Sequence, residues 1–316
     1  MLDSKHLFRV FNFIFCIFAL FKSVSSNIND MNRQSIIITL IAFFAIIDVS
    51  AKKKKEYPRA EIKVGYTYHE TFVRGSDGII KRDIPFVLLA NKEQSKFYNT
   101  KTEFKDSLDS TPQGRAISHQ LLKEAIKRYT ETKDRSAMDG IAYKTFLYIF
   151  RSATDNHMTV YDKAGSIEQG YYTEPLGEIE WEVSDSTKNI LGYDCVMATT
   201  NYHGRKWTAW FTPDIPLQEG PWKLTGLPGL ILEASESTGQ HSFVATGLEA
   251  SNQEIVPIYP HRQYDKMSRI EMLRQLRNYR DHHNAMDRAA TGIQFGTDHI
   301  RTGEETKIDF LETDYH

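Results

Sequence analysis

The chain has 316 residues, a formal net charge of −2 at pH 7 and a charged fraction of 25%. This balance is that of an ordinary globular surface, so we expect no nucleic-acid partner and no general attraction to anionic membranes. Aromatic residues make up 12% of the chain, which favours strands because flat rings pack well on a half-buried pleated surface. Of the two cysteines, Cys16 lies in an apolar leader, and we expect Cys195 to be a small apolar residue of a strand.

Two short apolar runs precede the globular part of the chain. Residues 31–51 have the three regions of a secretory signal peptide: a positive start with Arg33, an apolar run over 36–47, and small residues up to Ala51. The sequence therefore predicts export to the periplasm or cell envelope, with cleavage near Ala51.

The first 30 residues hold the other apolar run, over 11–21. We interpret residues 1–30 as an N-terminal extension or a misassigned start, with Met31 as the true start. In the alternative, the two runs form an anchoring hairpin, but each is shorter than the roughly 20 residues of a spanning helix. We therefore expect no stable membrane span in the mature chain.

The first predicted elements of the mature chain are a hairpin and a helix. Polar and apolar residues alternate over 61–68, which predicts a strand, and a turn around 75–78 leads into a second strand within 79–90, with Pro85 at its start. Residues 95–111 are polar and turn-rich. A helix is then predicted over 113–132, where apolar residues recur at helical spacing: Ile117, Leu121, Leu122, Ala125, Ile126 and Tyr129.

The pattern then returns to short strands and ends in a helix. Strands are predicted over 143–150, 158–161, 171–173, 179–183, 195–202, 206–212, 230–234 and 242–248. A long amphipathic helix is predicted over 265–290, and 306–311 could add an edge strand. The prediction is one α+β, mainly β domain over 52–316, a curved antiparallel sheet (half-barrel or open barrel) with one or two packed amphipathic helices and a helical C-terminal segment from about residue 263.

A distinctive block lies late in the strand region. Residues 207–216 lead into 220–233, which contain Gly226-Leu227-Pro228-Gly229-Leu230-Ile231. The chain resembles the GLPGLI family, which is named for that hexapeptide, across most of its mature length. Supporting matches are Ser95-Lys96-Phe97-Tyr98, Trp181 and residues 187–195. The resemblance implies an exported envelope protein and brings no biochemical activity with it.

The hexapeptide has both a structural and a functional interpretation. Pro228 at the second turn position and Gly229 with positive φ at the third would form a type II turn, followed by a central strand covered on both faces over 230–232. The structural role is favoured, and the alternative is a loop that contacts a ligand or partner. The candidate residues for that contact are Trp210, Trp222, Gly226, Leu227, Pro228 and Gly229.

A search for catalytic and metal-binding patterns gives no candidate. His282 and His283 are adjacent, and adjacent helical side chains point about 100° apart, which suits a solvated face and not a shared metal. His299 follows later, and Asp185, Asp194 and Asp214 lie near strand ends without a paired carboxylate. We predict no catalytic residue, no metal site and no cofactor, and an enzyme is the less favoured interpretation.

The preferred functional hypothesis is an envelope binding or carrier-type protein for an apolar ligand, a peptide or a partner protein. The rival is an envelope hydrolase that uses acidic residues or His203 near Trp207 and Trp210. A third option is a structural accessory of an outer-membrane system. A dry apolar cavity would favour the carrier, and converging ionisable groups would favour the enzyme.

Overall fold

A computed structural model describes residues 56–74, 78–138, 145–177, 179–291, 306–307 and 309–316. The predicted signal peptide, the extension before it and His299 lie outside these ranges. The described strands are β1 Ile62–Arg74, β2 Gly78–Ala90, β3 Gln94–Asn99, β4 Tyr148–Ser152, β5 His157–Lys163, β6 Gln169–Pro175, β7 Glu182–Ile190, β8 Tyr193–Tyr202, β9 Arg205–Thr212, β10 Leu230–Glu236, β11 His241–Ala250, β12 Asp265–Lys266 and β13 Thr306–Lys307. The helices are α1 Thr100–Asp109, α2 Pro112–Thr132 and α3 Arg269–Thr291, with a 3₁₀ helix at Arg135–Met138.

One hydrogen-bonded path joins twelve strands in the order β12-β6-β5-β4-β3-β2-β1-β11-β10-β9-β8-β7, and β13 pairs with β1. Its pairs are antiparallel except β12 with β6, which is parallel. The sheet is therefore mixed, and the prediction of a purely antiparallel sheet was wrong at this edge.

The sheet curves strongly around its inner face. His203 lies in the turn between β8 and β9, and its Nε2 atom is 3.3 Å from Oε1 of Glu174 on β6. In a flat sheet, β6 and β9 would be about 40 Å apart, because eight steps of 4.7–4.9 Å separate them. Among the described strands, β7 and β12 end the path without pairing to each other, so the curved sheet stays open.

Strand prediction succeeded where residues alternate and failed at local details. The predicted hairpin forms, and Arg74 pairs with Gly78 across its turn. Pro85, expected at a strand start, lies inside β2 opposite Thr67. The strand tolerates Pro85 because β3 pairs with β2 only from Phe86 onward, so no partner needs the missing N–H on that side.

Two segments between residues 94 and 109 were read as turn-rich and are regular. β3 carries Ser95 and Phe97 toward the inner face, and α1 begins directly after it because Asn99 caps the helix by accepting from the N–H groups of Lys101 and Thr102. Both elements were missed because the polar composition of this stretch is typical of turns.

The inner face of the sheet carries the main core. In β9, Trp207, Ala209 and Phe211 are buried, as period-two alternation requires. Aromatic rings from neighbouring strands stack beside them, with Phe86 and Phe97 at 4.7 Å and Tyr68 and Phe243 at 4.7 Å between centroids. Cys195 is fully buried, in agreement with its predicted role as an apolar core residue.

The outer face of β3 holds a buried lysine. The Nζ atom of Lys96 is 2.7 Å from Oε2 of Glu103 and lies 4.8–5.3 Å from the ring centroids of Tyr98, Tyr148 and Tyr259. Burial lowers the pKa of Lys96, and the Glu103 carboxylate opposes that effect. The Glu103 carboxylate and the faces of the three tyrosine rings stabilise the charged form of Lys96.

The two long helices differ in what they cover. Met272 and Leu273 of α3 are buried, and Met272 joins the main core. α2 packs mainly on α1 and the 3₁₀ helix. Of the one or two amphipathic helices predicted to pack on the sheet, α3 therefore does so, whereas α2 packs mainly on other helices.

Close approach of β9 and the start of β10 leads to a prediction. A Cβ atom at Gly229 would lie 2.1 Å from the backbone oxygen of Thr212, whereas one at Gly247 would meet nothing within 4 Å. We expect Gly229→Ala to destabilise the fold by about 2 kcal/mol or more, because backbone must move, and Gly247→Ala to change stability by less than about 1 kcal/mol. Urea unfolding measures both, and equal stability of the two variants would contradict this packing.

Candidate functional site

The segment between β9 and β10, residues 213–229, lies against the inner face of the sheet. Its anchor is Arg151 of β4, which is 1% exposed. Nη1 of Arg151 donates to Oε2 of Glu219 at 2.9 Å, and Nη2 donates to the carbonyl oxygens of Gly220 and Trp222. The Ser95 hydroxyl donates to the same Glu219 oxygen at 2.9 Å. β3 and β4 therefore hold this loop inside the curve of the sheet.

The turn in the hexapeptide differs from the predicted one. Gly226 has a φ of +90°, whereas the φ of Gly229 is not positive. The Gly229 N–H donates to the Leu227 carbonyl at 2.8 Å, so Pro228 is the centre of a three-residue γ-turn. The predicted type II turn was wrong because Gly229 is selected for close packing on Thr212 and not for its φ angle.

The six candidate loop residues do not form one surface. Trp210 is half-buried under the ammonium of Lys188, 4.4 Å from its ring centroid, whereas its strand neighbours at 209 and 211 are buried on the other face. Gly226 and Pro228 are exposed, and Leu227 and Gly229 are buried in the interior. Of the six, Trp222 alone lines the cavity described next. As predicted, the strand that follows is covered on both faces, with Leu230, Ile231 and Leu232 fully buried.

A cavity of about 290 Å³ lies between the inner face of the sheet, helix α3 and the C-terminal segment 309–312. Most of its wall is apolar, with rings of Phe86, Trp222 and Phe243 from the sheet side and Leu276 and Phe310 from the covering side. Ionisable side chains occupy the remainder of the wall: Glu70, Arg82, Asp162, Lys163, His241, Arg280, Asp309 and Glu312. The cavity is therefore amphipathic and not uniformly dry.

His241 on β11 is a neutral member of this wall. Its Nε2 lies 3.1 Å from the Asp309 carbonyl oxygen, which can only accept, so Nε2 carries the proton and Nδ1 accepts from the Tyr68 hydroxyl at 2.7 Å. Burial, with a contribution from the Arg205 guanidinium, lowers the pKa of His241 to about 4. The side chain is thus uncharged at neutral pH.

Asp162 on β5 titrates in the opposite direction. Burial raises the pKa of Asp162 to about 7, although the Lys163 N–H and the Arg280 guanidinium oppose the shift. The Lys163 N–H donates to Oδ1 of Asp162 at 2.7 Å. A large fraction of these carboxyl groups is therefore protonated near neutral pH.

A compact charged cluster adjoins the cavity, and we call it the rim cluster: Glu174, His203, Lys223, Arg269, Glu312 and Asp314. Nζ of Lys223, which is fully buried, lies 2.5 Å from Oε2 of Glu174 and 2.7 Å from Oε1 of Glu312. Arg269 of α3 reaches Glu312 and Asp314 at 2.7 Å each. Burial opposes ionisation of Glu174, but His203 and Lys223 outweigh it and lower the pKa of Glu174 to about 2.

Three residues of the rim cluster have the donor set of a metal centre. Ligand atoms of Glu174, His203 and Glu312 lie within 4.8 Å of one another, and two carboxylates with one imidazole suit divalent transition metals. In this structure the Lys223 ammonium and the Arg269 guanidinium neutralise these carboxylates. The two carboxylates of this donor set are therefore already paired with cations.

Sequence reasoning named only His203 of this cluster, and placed it beside Trp207 and Trp210. Its ring instead lies 6.1 Å from the Trp222 ring and contacts acids of β6 and the C-terminal segment. No local spacing could reveal the set, because its members come from β6, a hairpin turn, the loop, α3 and the C-terminus. Lys223, inside the 220–233 block, was the one available signal.

The other titratable residues singled out from the sequence do not join a site among the described residues. Asp185, Asp194 and Asp214 are exposed. His282 is exposed and contacts the Asn278 carbonyl at 3.0 Å, as a solvated helix face would predict.

Comparisons with known proteins give one family match. A family model described as "Protein of unknown function (Porph_ging)" matches residues 201–233, from the end of β8 through the loop into β10. That stretch contains the hexapeptide on which the resemblance to the GLPGLI family rests. No curated protein matches the chain.

Three solved structures show limited likeness. PNGF-II in the P21 space group is 15% identical over 70% of this chain and 34% of that chain, with a TM-score of 0.47. PNGF-II in the C2 space group is 15% identical over 69% of this chain and 33% of that chain, with a TM-score of 0.45. A putative outer membrane lipoprotein-sorting protein domain from Vibrio parahaemolyticus is 8% identical over 59% of this chain and 85% of that chain, with a TM-score of 0.18. The chain spans about a third of PNGF-II, and none of these likenesses assigns a function.

The neutral His241 predicts a pH-dependent stability. Its pKa is lower in the folded chain than the usual 6.5, so the stabilisation is complete above pH 6.5 and is lost as the pH falls toward 4, by about 3 kcal/mol in total. In His241→Phe we expect a loss of about 1–2 kcal/mol at pH 7.5, because Tyr68 and Asp309 lose their partner, and a smaller loss at pH 5. Urea unfolding at both pH values measures this. An unchanged pH dependence in the variant would contradict the assignment.

The place of Lys223 predicts a metal-dependent variant. Lys223→Met leaves Glu174 and Glu312 close together without their buried cation, and we expect a loss of about 3–5 kcal/mol. Zn²⁺ should restore part of the thermal stability of this variant and have less effect on the parent chain. The control is Lys223→Met with His203→Gln, which should lose the zinc response. Equal zinc responses of the parent and Lys223→Met would show that Lys223 does not occupy the cation position.

Proposed function

We propose that this chain is an exported envelope protein that binds a small, mainly apolar ligand in the cavity beneath α3. The observation behind the proposal is the cavity of about 290 Å³ whose wall combines the sheet, the loop residue Trp222 and the covering helix. This volume is at the lower end of the range typical of small-molecule sites, about 300–1,000 Å³. A ligand with an apolar body and few polar groups fits such a space.

The charge state of the wall supports an apolar ligand over an ionic one. His241 is neutral at neutral pH, and about half of the Asp162 carboxyl groups are protonated at pH 7. Glu312 is neutralised by Lys223, and Glu70 lies 3.4 Å from Arg82. A charged ligand would need its own buried counter-charge, whereas polar groups of an uncharged ligand could bond to these side chains.

The same wall bears on the hydrolase alternative. Converging ionisable groups are present, which is the pattern that favours an enzyme, and they include Asp162, whose pKa is raised to about 7 by burial; the larger, apolar part of the wall favours the carrier. His203, the histidine that this alternative named, contacts Glu174 and Asp314 in the rim cluster, where Lys223 and Arg269 also pair with the acids. We assign the rim cluster to holding the loop and the C-terminal segment beside the cavity.

Export is part of the proposal and rests on the signal-peptide pattern of residues 31–51, which lie outside the described residues. Among the described residues, none of the helices combines the length and apolarity that crossing a membrane requires. Binding by the mature chain would therefore take place in the periplasm or at the envelope.

If the cavity holds a ligand, a substitution that fills the cavity should reduce the amount of bound ligand. We expect native mass spectrometry of protein purified from its own envelope to show a bound small molecule, and its intact mass to report cleavage near Ala51. Ile84→Phe fills the cavity wall and should reduce ligand occupancy at least tenfold. Ile79→Phe, on the same strand and 69% exposed, should leave occupancy unchanged.

Two outcomes would count against this function. Recovery of the parent protein without any bound molecule would oppose ligand binding. Equal occupancy in Ile84→Phe and Ile79→Phe would place the ligand outside this cavity.

A further inference from the structure

The sheet wall of the cavity is polar at one end. Glu70 of β1 pairs in register with Arg82 of β2 and with His241 of β11, so these three residues form one row across neighbouring strands. Two residues along each strand, the next row on the same face consists of Tyr68, Ile84 and Phe243. All six residues line the cavity. The sheet wall therefore changes from polar to aromatic and aliphatic within one row.

Helix α3, on the opposite wall, has the same polarity. Met272, Leu276 and Arg280 recur every four residues, so they lie on one face of the helix, and all three line the cavity. The helix begins at Arg269, which belongs to the rim cluster. Arg280 therefore lies at the end of the helix wall that is remote from the rim cluster.

The polar ends of the two walls coincide. Burial lowers the pKa of Arg280, Glu70 opposes that shift and Arg82 adds to it, so both residues of the row lie close enough to act on its guanidinium. Arg280 likewise opposes the raised pKa of Asp162, which burial causes. The Cζ atom of Arg280 lies 4.1 Å from the centroid of the Phe310 ring, and this contact holds the guanidinium in place. We call this part of the cavity the polar end, and it consists of Glu70, Arg82, Asp162, His241 and Arg280.

The polar end is rich in hydrogen-bond donors. A guanidinium has several N–H groups in a fixed fork and no acceptor, and Arg82 and Arg280 bring two guanidiniums together from opposite walls. Both ring nitrogens of His241 are already bonded within the protein. Of the two acids, Glu70 pairs with Nε of Arg82 at 3.4 Å, and Asp162 accepts from a backbone N–H. A ligand atom at this end therefore meets donors, and an oxygen acceptor suits it.

We propose that the ligand is an apolar chain that ends in an uncharged carbonyl group, as in an ester, and that Arg280 determines this specificity by donating to the carbonyl oxygen. This inference rests on the proposed function, because it concerns the same cavity. A carboxylate would lose its hydration here and be opposed by Glu70 and by the ionised fraction of Asp162, whereas an uncharged carbonyl loses less. A cationic group would be repelled by both guanidiniums. The chain would extend past Leu276 to Met272, which is about 12 Å from Arg280 along the helix axis.

The test compares probes that share a ten-carbon chain and differ at one end. They are methyl decanoate, decanoate and decylammonium. Each competes at pH 7.5 with the uncharged dye N-phenyl-1-naphthylamine on the protein, expressed as the full chain, after bound molecules have been extracted. We expect methyl decanoate to bind at least tenfold more tightly than decylammonium and more tightly than decanoate. Binding of the dye, which has no carbonyl group, reports on the cavity alone, and Ile84→Phe should reduce it.

Variants of α3 separate a specific contact from a structural role. Arg280→Met should weaken the binding of methyl decanoate about tenfold, because a hydrogen bond from a charged donor is lost, and should leave dye binding within about twofold. Arg280→Lys keeps a charged donor and should lose less affinity for the ester. Arg288→Met, at an exposed position of the same helix, should change neither binding.

Three results would overturn the inference while the dye still binds and Ile84→Phe still weakens it. Methyl decanoate and decylammonium bind equally, decanoate binds more tightly than methyl decanoate, or Arg280→Met weakens the ester and the dye to the same extent. Each of these results leaves the proposed function standing. Failure of the dye and of all three probes to bind the parent protein would oppose the proposed function and this inference together.

Discussion

The Arg151 guanidinium is the contact on which the interior of this protein depends. It is buried within β4 and satisfies the Glu219 carboxylate and two carbonyl groups of the loop between β9 and β10. Burial raises the pKa of Glu219, and Arg151 opposes that shift, so each charge is tolerable only because of the other. Together with the Ser95 hydroxyl, this pair ties the loop to β3 and β4. Trp222 and Lys223 are placed by the same anchor, since they follow Glu219 by three and four residues.

The rim cluster extends this constraint to the two ends of the curved sheet. Glu174 is on β6 near one end, His203 is in the β8–β9 turn near the other, and Lys223 lies between them on the loop. The C-terminal segment adds Glu312, and α3 adds Arg269. Because one cluster contains charges from five parts of the chain, the curvature of the sheet, the seat of α3 and the position of the last residues are coupled. The shape of the cavity, which lies between the sheet, α3 and the C-terminal segment, therefore depends on the rim cluster.

How far the sequence predicts this arrangement depends on whether the determining contacts are local. Alternation along a strand is local, so the hairpin of β1 and β2 and the inward face of β9 were predictable. Closeness of Gly229 to Thr212 is not local, and the dipeptide Pro228-Gly229 therefore suggested the wrong turn. The helical periodicity of residues 113–132 correctly predicted α2. Periodicity shows that one face of a helix is apolar, but it does not show what covers that face. The rim cluster could not be predicted from the sequence, because Glu174 and Glu312 are far apart in the chain and are brought together only by the fold.

His241 and Asp162, two of the titratable groups in the cavity wall, differ from the rim cluster in what determines their pKa values. In the rim cluster, His203 and Lys223 outweigh the effect of burial and lower the pKa of Glu174. In the cavity wall, burial outweighs the neighbouring charges: it lowers the pKa of His241 to about 4 and raises the pKa of Asp162 to about 7, so His241 is neutral at pH 7 and about half of the Asp162 carboxyl groups are protonated. A wall that is mostly apolar and whose histidine is neutral costs less to bring against apolar atoms, while its hydrogen-bonding groups still select the orientation of a ligand. The rim cluster therefore fixes the walls from the edge of the cavity, and the neutral His241 lies among the apolar rings of the wall, where a ligand would contact it.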